Sequence, residues 1–203
     1  MIQGLSTALS ALNAANKRQN VTANNLANVN TGGFKAKITH LAEISRGGVK
    51  VAGVQTDTSK SYFINTGNPL DLAINGDGYF RLNSDNKEIF TRNGHFKKDA
   101  DGNVVDSNGN ILLENPGENL SVSENGDVFS NGNYAGKINI YDEYGEAIPD
   151  NNYEIMSGYL EASNVDIAKE IVDQIVNLRY FQANSETIRT KDEMLGNIVN
   201  LKT

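Results

Sequence analysis

The chain of 203 residues contains 38% hydrophobic and 21% charged residues, with no cysteine, no tryptophan and two histidines. Its length suits one or two small domains, and the missing thiols exclude disulfide bonds, cysteine nucleophiles and sulfur-ligated zinc. A net charge of −7 argues against nucleic-acid binding, which needs clustered lysine and arginine. Because no run of about 18 apolar residues occurs, we expect no transmembrane helix. The first residues also lack the pattern of a cleaved signal peptide.

Helix-breaking residues are concentrated in the middle of the chain. Sixteen of the 19 glycines lie within residues 32–145, and all three prolines lie within residues 69–149. Thirteen of the 15 aromatic residues lie within residues 34–159. Since glycine and proline favour turns and aromatic residues favour strands, this distribution predicts a turn-rich, β-rich centre between two helical ends.

The N-terminal end carries a stripe of side chains that advances by alternating steps of three and four residues. This is the spacing of a coiled-coil seam. A second stripe of small residues, mostly alanine, runs beside it and would let another helix approach closely. We therefore expect a long helix that packs against another helix through Ile2, Leu5, Leu9, Leu12, Asn16, Gln19, Ala23 and Leu26.

The C-terminal end carries two adjacent apolar stripes at helical spacing, a wider face than one partner helix can cover. The N-terminal helix is the obvious partner, and charge agrees, because residues 1–35 carry +3 and residues 160–203 carry −2. The surplus apolar face predicts association between copies of the chain. The expected helix-packing residues of the two ends are Leu5, Leu9, Leu12, Leu26, Ile171, Ile175, Leu178, Phe181, Ile188, Leu195 and Val199.

Between the two ends, short apolar segments alternate with tight-turn signals. Seven Asn-Gly or Asp-Gly pairs occur between Asn75 and Gly132. These pairs favour two-residue hairpin turns, in which both central residues need a positive φ. We therefore expect an antiparallel meander or barrel, with strands near residues 70–74, 79–82, 88–92, 120–122, 128–130 and 138–141.

The sequence offers no catalytic or metal-binding constellation. Residues 99–103 resemble a calcium loop only faintly, because Val104 and Asn110 stand where an EF-hand needs glycine and glutamate. A turn is the expected use of that segment. Residues 76–78 lead into a strand, which does not fit a dinucleotide-binding fingerprint. We therefore expect no enzymatic activity, no cofactor and no metal site.

Three segments of the chain carry distinctive motifs. The first reads ANNLANVNTGGFK over residues 23–35, and the second contains PLDLAI (69–74), GDGYF (76–80) and FTRNGHF (90–96). The third reads GYLEASNVD over residues 158–166. In this order they resemble the bacterial flagellar axial proteins, the family of rod, hook and hook-associated subunits. The matching motif residues are Asn24, Asn25, Leu26, Asn28, Thr31, Gly33, Phe34, Leu70, Asp71, Gly78, Arg92, Gly94, Glu161, Ser163, Asn164 and Val165.

The resemblance implies an α+β fold. In it, the long terminal helices pair as a coiled-coil domain made of residues 1–35 and 158–203. An extended connector (36–66) leads to a central antiparallel β-rich outer domain (67–157). The Asn-rich stretch 20–30 is expected to end the first helix.

The resemblance also implies a structural subunit of the flagellar basal-body rod, which assembles helically into the hollow axial tube that transmits torque for motility. The implied partners are copies of itself, other rod and hook subunits and the flagellar type III export apparatus, with no membrane insertion and no nucleic acid. The implied location is the basal body, in the periplasm or outside the cell, reached without a cleaved signal peptide.

Two other interpretations remain open at this point. Residues 49–82 look especially like the hook protein, so a hook-type subunit reduced to its core is one of them. Hook subunits usually carry extra outer domains, for which 203 residues leave no room. The other, from a different class, is a secreted β-rich module that binds a glycan or cell-wall partner and uses its helices to form oligomers.

Overall fold

The computed structural model describes residues 2–45, 47–84 and 87–200, and within these ranges the side chains of residues 4–197. The chain divides into two compact units. The helical unit consists of residues 1–29, 35–59 and 165–203, and the β unit consists of residues 30–34 and 60–164. An α+β fold with a long helix near each end and an antiparallel β-rich centre is thus confirmed.

The helical unit contains two long helices, α1 (Ile2–Ala27) and α2 (Ile167–Asn200). They run antiparallel, since Asn25 near the end of α1 bonds to Glu170 near the start of α2. At the other end, Gly4 lies against the Lys191 side chain. Neither helix contains proline, and each contains a single glycine near its end, Gly4 in α1 and Gly196 in α2.

The ends of the two helices are stabilised by local hydrogen bonds. Helix α1 ends at Ala27, within the Asn-rich stretch 20–30 that the sequence predicts to end it. Its last turn is supported by the Asn28 amide, which donates to the Asn24 carbonyl (2.9 Å). Helix α2 begins after Asp166, whose carboxylate accepts a hydrogen bond from the Lys169 N–H (3.1 Å) as an N-cap.

Residues 36–66, for which the sequence predicts an extended connector, contain regular β structure. Strands β1 (Lys37–Glu43) and β2 (Val49–Thr56) form an antiparallel hairpin within the helical unit. The hairpin contacts α1, where the Ser10 hydroxyl accepts a hydrogen bond from the Val49 N–H (3.2 Å). A two-stranded hairpin is marginally stable alone, so α1 supplies the support it needs.

The β unit consists of short antiparallel strands arranged in several small sheets. The strands are β3 (Phe63–Asn65), β4 (Leu72–Gly76), β5 (Tyr79–Ser84), β6 (Lys87–Thr91), β7 (Lys97–Lys98), β8 (Val104–Val105), β9 (Ile111–Leu113), β10 (Leu120–Val122), β11 (Asp127–Ser130), β12 (Asn133–Lys137), β13 (Ile140–Tyr141), β14 (Tyr153–Ser157) and β15 (Tyr159–Glu161); a 3₁₀ turn spans Asp150–Asn152. The largest sheet has the order β13-β5-β9-β8-β7, with β6 also paired to β5. Strands β10, β11 and β12 form a second sheet, and the pairs β14-β4 and β15-β3 complete the unit.

The β unit contains a hydrophobic core. In β5, Phe80 and Leu82 are fully buried while their neighbours in sequence are not, as expected for a strand with one face in the core. The rings of Phe80 and Phe96 meet edge to face with centroids 5.4 Å apart. The other buried residues of the core are Leu72, Ile74, Val104, Val128, Ile138, Ile140, Tyr153 and Ile155.

The hairpin between β11 and β12 has the turn that its sequence favours. Asn131 and Gly132 both have a positive φ, 50° and 81°, between the paired residues Ser130 and Asn133. This is the geometry of a two-residue type I′ turn, for which Asn-Gly is the preferred pair. Neither described helix contains an apolar stretch long enough to cross a membrane.

Candidate assembly surface

The apolar stripes that the sequence assigns to helix packing lie mainly on the outside of the helical unit. Leu5 and Leu9 of α1 are 42% and 54% exposed. On α2, the exposed fractions lie between 41% and 54% for Ile171, Ile175, Leu178, Phe181 and Leu195. Leu12, Leu26 and Ile188 are half-buried. The side chain of Val199 lies outside the described part of the chain.

A different stripe of α2 faces α1, here called the polar seam. Among the described side chains of α2, six are not exposed, and they recur at steps of three, four or seven residues, as in a helix–helix seam. Only one of the six is hydrophobic. The polar seam consists of Glu170, Asp173, Asn177, Asn184, Ile188 and Lys191, and the buried residues of α1 are Ala8, Ala14, Ala15, Thr22 and Asn25. The helices of one chain therefore meet through small and polar side chains.

Asn25 joins three elements of the helical unit. Its amide Nδ2 donates to the Glu170 carboxylate of α2 (2.7 Å) and to the carbonyl of Lys37 in β1 (2.9 Å). Its Oδ1 accepts a hydrogen bond from the Lys37 N–H (2.9 Å). Asn25 is 1% exposed, so losing it would leave the buried Glu170 carboxylate without its described donor. The residue therefore fixes the register of α1 against α2 and of the hairpin against both.

A cleft of about 530 Å³ opens along the polar seam at the middle of the helical unit. Its floor includes Gln19 of α1 and Asn177 of α2, and exposed apolar residues of α2 such as Ile175, Leu178 and Phe181 form part of its wall. Both side-chain atoms of Asn177 are buried without a hydrogen-bond partner among the described residues, and so is Oε1 of Gln19. A buried amide that lacks partners destabilises the structure that contains it.

In the β unit, Arg92 forms a buried ion pair with Glu161. Arg92 Nε donates to Glu161 Oε2 at 2.7 Å, and the two side chains are 8% and 2% exposed. The remaining guanidinium donors reach the carbonyls of Gly78 (2.8 Å), Ile74 (2.9 Å) and Gly76 (3.0 Å). The planar guanidinium can satisfy all these acceptors at once, which lysine cannot do. Arg92 thus ties the β4–β5 turn to β15.

Gly33 brings the segment 30–34 close to this ion pair. Its N–H donates to the carbonyl of Glu161 (2.8 Å). Its φ is +67°, and a Cβ atom at this position would lie 2.3 Å from the Arg92 carbonyl. Nearby, the carbonyl of Phe34 accepts a hydrogen bond from the Asn164 N–H (3.3 Å). The first and third sequence motifs therefore meet within the β unit, and only glycine fits at position 33.

Within the second motif, the backbone at Gly94 lies directly against the backbone at Leu72, the first residue of β4. The Leu72 N–H donates to the Gly94 carbonyl (2.9 Å), and a Cβ atom on Gly94 would lie 1.5 Å from the Leu72 carbonyl oxygen. Beside this contact, the buried Asp71 carboxylate lies 2.8 Å from Nδ1 of His95, whose side chain is 55% exposed. Leu70 packs against the core. Gly94 therefore serves a close backbone approach.

The remaining motif residues lie at the ends of elements. Asn24 is exposed in the last turn of α1, and the carbonyl of Thr31 accepts a hydrogen bond from the Phe34 N–H (3.2 Å). The Ser163 carbonyl accepts a hydrogen bond from the Ser61 hydroxyl (3.0 Å). Val165 is half-buried just before α2.

Polar side chains in the turn at residues 99–103 are used in structural hydrogen bonds. Asp99 Oδ1 accepts hydrogen bonds from the N–H groups of Asp101 (3.0 Å) and Asn103 (2.8 Å), within the segment that faintly resembles a calcium loop. Among the described residues, no group of three or more carboxylate or histidine side chains could hold a metal ion.

Sequence reasoning missed the residues that build the polar seam. Glu170, Asp173 and Asn177 lie between the two apolar stripes of α2, and the search for apolar periodicity passes over them. A signal was present, because Asn177 and Asn184 are one heptad apart and Glu170 is one heptad before Asn177. A heptad of polar residues between apolar stripes indicates a helix with more than one contact face.

Comparison with known proteins gives three matching family models in chain order. Residues 5–35 match the model "Flagella basal body rod protein". Residues 73–170 match "Flagellar hook protein FlgE/F/G D1 domain", and residues 156–201 match "Flagellar basal body rod FlgEFG protein C-terminal".

Individual relatives agree with the family models. The flagellar basal-body rod protein FlgG of Bacillus subtilis is 31% identical over 264 aligned positions that cover all of both chains. The FlgG protein of Agrobacterium fabrum is 30% identical, with 95% of this chain and 97% of the relative covered. The flagellar hook protein FlgE of Salmonella typhimurium is 42% identical over 117 residues, which cover 55% of this chain and 29% of the hook protein.

Proposed function

Since the chain belongs to the FlgE/F/G family of flagellar rod and hook proteins, we propose that it builds the axial structure of the flagellum by packing the exposed stripes of its helical unit against neighbouring subunits. The protein is a structural rod subunit of the flagellum, because its full-length matches are FlgG rod proteins. The match to the hook protein covers 55% of this chain. Hook-like segments within a rod-type chain account for both results.

The observation that carries the proposal is the exposure of large apolar side chains on both helices. Seven of the residues predicted for helix packing are more than 40% exposed on the isolated chain: Leu5, Leu9, Ile171, Ile175, Leu178, Phe181 and Leu195. Apolar surfaces of this extent on a soluble chain are typical of interaction sites. In a helical array, the stripes of neighbouring copies cover one another as coiled-coil contacts. Such contacts repeat without closing and form a tube.

We also propose that the chain reaches this location through the flagellar type III export apparatus, without a cleaved signal peptide, and that the assembled tube is hollow and transmits torque. A chain without cysteine cannot form disulfide cross-links on the way. The terminal helices bury few large side chains, so they unfold readily for threading and refold when neighbours cover them.

The experiment compares the purified full-length chain when dilute and when concentrated. In dilute solution we expect a monomer in which residues 1–30 and 165–203 are cleaved by protease well before the β unit. At high concentration we expect hollow polymers by electron microscopy, with both ends protected. Discrete closed particles, or ends that are protected in the dilute monomer, would contradict the proposal. Imaging a deletion strain would then show at which level of the axial structure assembly stops.

A further inference from the structure

The Asn-Gly pairs of the chain carry a chemical reactivity besides their preference for turns. The main-chain nitrogen of the glycine can attack the side-chain carbonyl carbon of the asparagine, because glycine has no side chain to hinder the approach. A carbon–nitrogen bond forms, ammonia leaves, and the product is a cyclic succinimide. Water then opens the ring at either carbonyl and yields aspartate or isoaspartate. The chain contains Asn-Gly pairs at residues 75–76, 93–94, 108–109, 125–126 and 131–132.

Two of these pairs are restrained by the packing of the β unit. Asn75 lies in β4, and its Nδ2 donates to the Glu154 carboxylate of β14 (3.1 Å). The Oδ1 of Asn93 accepts a hydrogen bond from the His95 N–H (3.1 Å), and Gly94 is buried. In both pairs the asparagine side chain is held by a hydrogen bond and the main chain has little room to rotate.

Two further pairs lie in turns that the glycine itself closes. The Gly109 N–H donates to the Asp106 carbonyl (3.2 Å). In the same way, the Gly126 N–H donates to the Ser123 carbonyl (3.0 Å). The Asp106 carboxylate also accepts a hydrogen bond from the Asn108 N–H (2.8 Å). Since the attacking nitrogen keeps its proton in a hydrogen bond, each turn must break that bond before the reaction can occur.

The pair of Asn131 and Gly132 is placed differently, in the type I′ turn between β11 and β12. Here the two residues occupy both central positions of the turn, so the N–H that closes it belongs to the residue after glycine. Among the described residues, the Gly132 N–H has no acceptor. Both residues are exposed, and no described atom lies within 4 Å of a Cβ atom placed on Gly132. The attacking nitrogen is therefore free in this pair.

The turn must open for the attack, and opening costs least at the tip of this hairpin. It disturbs only the last cross-strand pair, Ser130 with Asn133. The Asn131 side chain makes one described hydrogen bond, which its Oδ1 accepts from the exposed Asn119 amide (2.7 Å). Opening the turn at Asn108 would instead break the bond that closes that turn and the bonds to the Asp106 carboxylate.

We propose that Asn131 is a site of spontaneous deamidation in the folded chain, where the Gly132 nitrogen displaces ammonia and water then yields aspartate and isoaspartate. Either product adds a negative charge to the β unit. Aspartate preserves the turn, because it also tolerates a positive φ. Isoaspartate adds a methylene group to the main chain and disturbs the pairing of β11 with β12. This modification does not depend on assembly, so its test stands apart from that of the proposed function.

The first experiment follows all five pairs in the dilute full-length chain. The chain is incubated in mildly alkaline buffer, with and without denaturant, and conversion at each pair is measured by peptide mapping and mass spectrometry. Dividing each folded-state rate by the rate of the same pair in denaturant removes the influence of neighbouring residues in the sequence. We expect this ratio to be about fivefold higher for Asn131 than for any other pair, the factor that one hydrogen bond contributes to an opening equilibrium. An equal ratio for all five, or a higher ratio at another pair, would overturn the proposal.

A second experiment tests why the folded chain is selective. Asp106→Ala removes the carboxylate that holds the turn around Asn108, so conversion at Asn108 should accelerate by about fivefold while conversion at Asn131 stays as it is. Asp101→Ala, at an exposed position in the preceding turn, is the matched control and should change neither rate. If Asp106→Ala leaves the rate at Asn108 unaltered, hydrogen bonds in the turns do not govern the reaction and the reason given for Asn131 is wrong.

The isoaspartate product gives an independent measurement. A protein isoaspartate methyltransferase labels isoaspartate in the aged wild-type chain, and Asn131→Asp should lose most of this label because it has no amide to expel at that position. Asn108→Asp, in the protected turn, is the control and should keep the wild-type amount of label. Equal labelling of Asn131→Asp and wild type would place the reactive asparagine elsewhere and contradict the assignment.

Discussion

The β unit buries phenylalanine, leucine and isoleucine side chains, whereas the described residues that the helical unit buries are alanine or polar. Phe80, Phe96 and Ile140 are fully buried in the β unit. In the helical unit, large apolar side chains such as Leu9 and Leu178 are more than half exposed. Full burial of one such side chain contributes about 1.5–3 kcal/mol, far more than burial of an alanine methyl group.

The difference shows that the two units obtain their stability from different sources. The β unit has its own core and can be stable as a monomer. The helical unit leaves its large apolar side chains exposed. Under the proposed assembly, its stability depends on neighbouring copies and therefore on protein concentration. In the single chain, polar contacts such as the hydrogen bonds of Asn25 hold α1, α2 and the β1–β2 hairpin in register. Four substitutions, taken from the largest expected effect to the smallest, test this comparison.

Phe96→Ala should destabilise the β unit most. It removes a fully buried ring and its edge-to-face contact with Phe80, so we expect the free energy of unfolding to fall by about 3–5 kcal/mol. Denaturant unfolding followed by near-ultraviolet circular dichroism measures this loss. A loss below about 1 kcal/mol would mean that the β unit does not depend on its core in this way.

Asn25→Ala should loosen the helical unit and leave the β unit unchanged. The substitution removes three hydrogen bonds and leaves the buried Glu170 carboxylate without its described donor, at a cost of about 1–3 kcal/mol. Hydrogen exchange should show faster exchange in α1 and in β1, and unaltered protection in β5. Asn24→Ala, at the exposed neighbouring position, is the control and should leave exchange in β1 as it is.

Tyr153→Phe should change the alkaline stability of the β unit. Burial, together with the hydrogen bond from the Tyr153 hydroxyl to Asp150, raises the pKa of Tyr153 to about 12. A folded-state pKa above the ordinary value of 10.0 means that the neutral phenol stabilises the fold at lower pH. This contribution is lost as the pH rises from 10 towards 12. Stability of the wild type should fall in that window, and the fall should be smaller in the variant.

The same variant also loses one hydrogen bond at neutral pH, with an expected cost of about 0.5–1.5 kcal/mol. Tyr62→Phe, at an exposed position, should keep the wild-type alkaline profile. An identical profile for Tyr153→Phe and wild type would contradict the assignment.

Leu178→Ser should have the smallest effect on the monomer and a large effect on assembly. The side chain is 53% exposed on α2, so the monomer should lose no more than about 0.5 kcal/mol. In the polymer, a polar side chain would replace an apolar one within the covered surface. Circular dichroism of the dilute chain and sedimentation of the concentrated chain measure the two effects. If this variant polymerised like the wild type, the exposed apolar stripe of α2 would not be an assembly surface, and the contrast drawn between the two units would be wrong.

Sequence reasoning succeeded where structure depends on neighbouring residues. The helices at both ends follow from the lack of helix breakers, and the type I′ turn at Asn131 and Gly132 follows from the φ values these residues tolerate. It missed the regular hairpin of β1 and β2, because that hairpin depends on support from α1.

The sites were predicted unevenly for a similar reason. Arg92 and Glu161 were identified through motifs, but their ion pair joins residues 69 positions apart and follows from no local pattern. Asn93-Gly94 has the sequence of a hairpin turn, yet Gly94 serves a close backbone approach to Leu72. Contacts between residues far apart in the chain decided both.

The sequence by itself determined the two helical ends, the turn-rich antiparallel centre, the lack of thiol chemistry and, through its motifs, the flagellar axial family. Tertiary structure alone decided which stripe of each helix faces the other. Periodicity shows which residues share a face, but it does not show whether that face meets the same chain or another copy. In this protein the polar stripe of α2 meets α1 of the same chain, because Asn25, Lys37 and Glu170 satisfy one another there, and the apolar stripes remain largely exposed on the single chain.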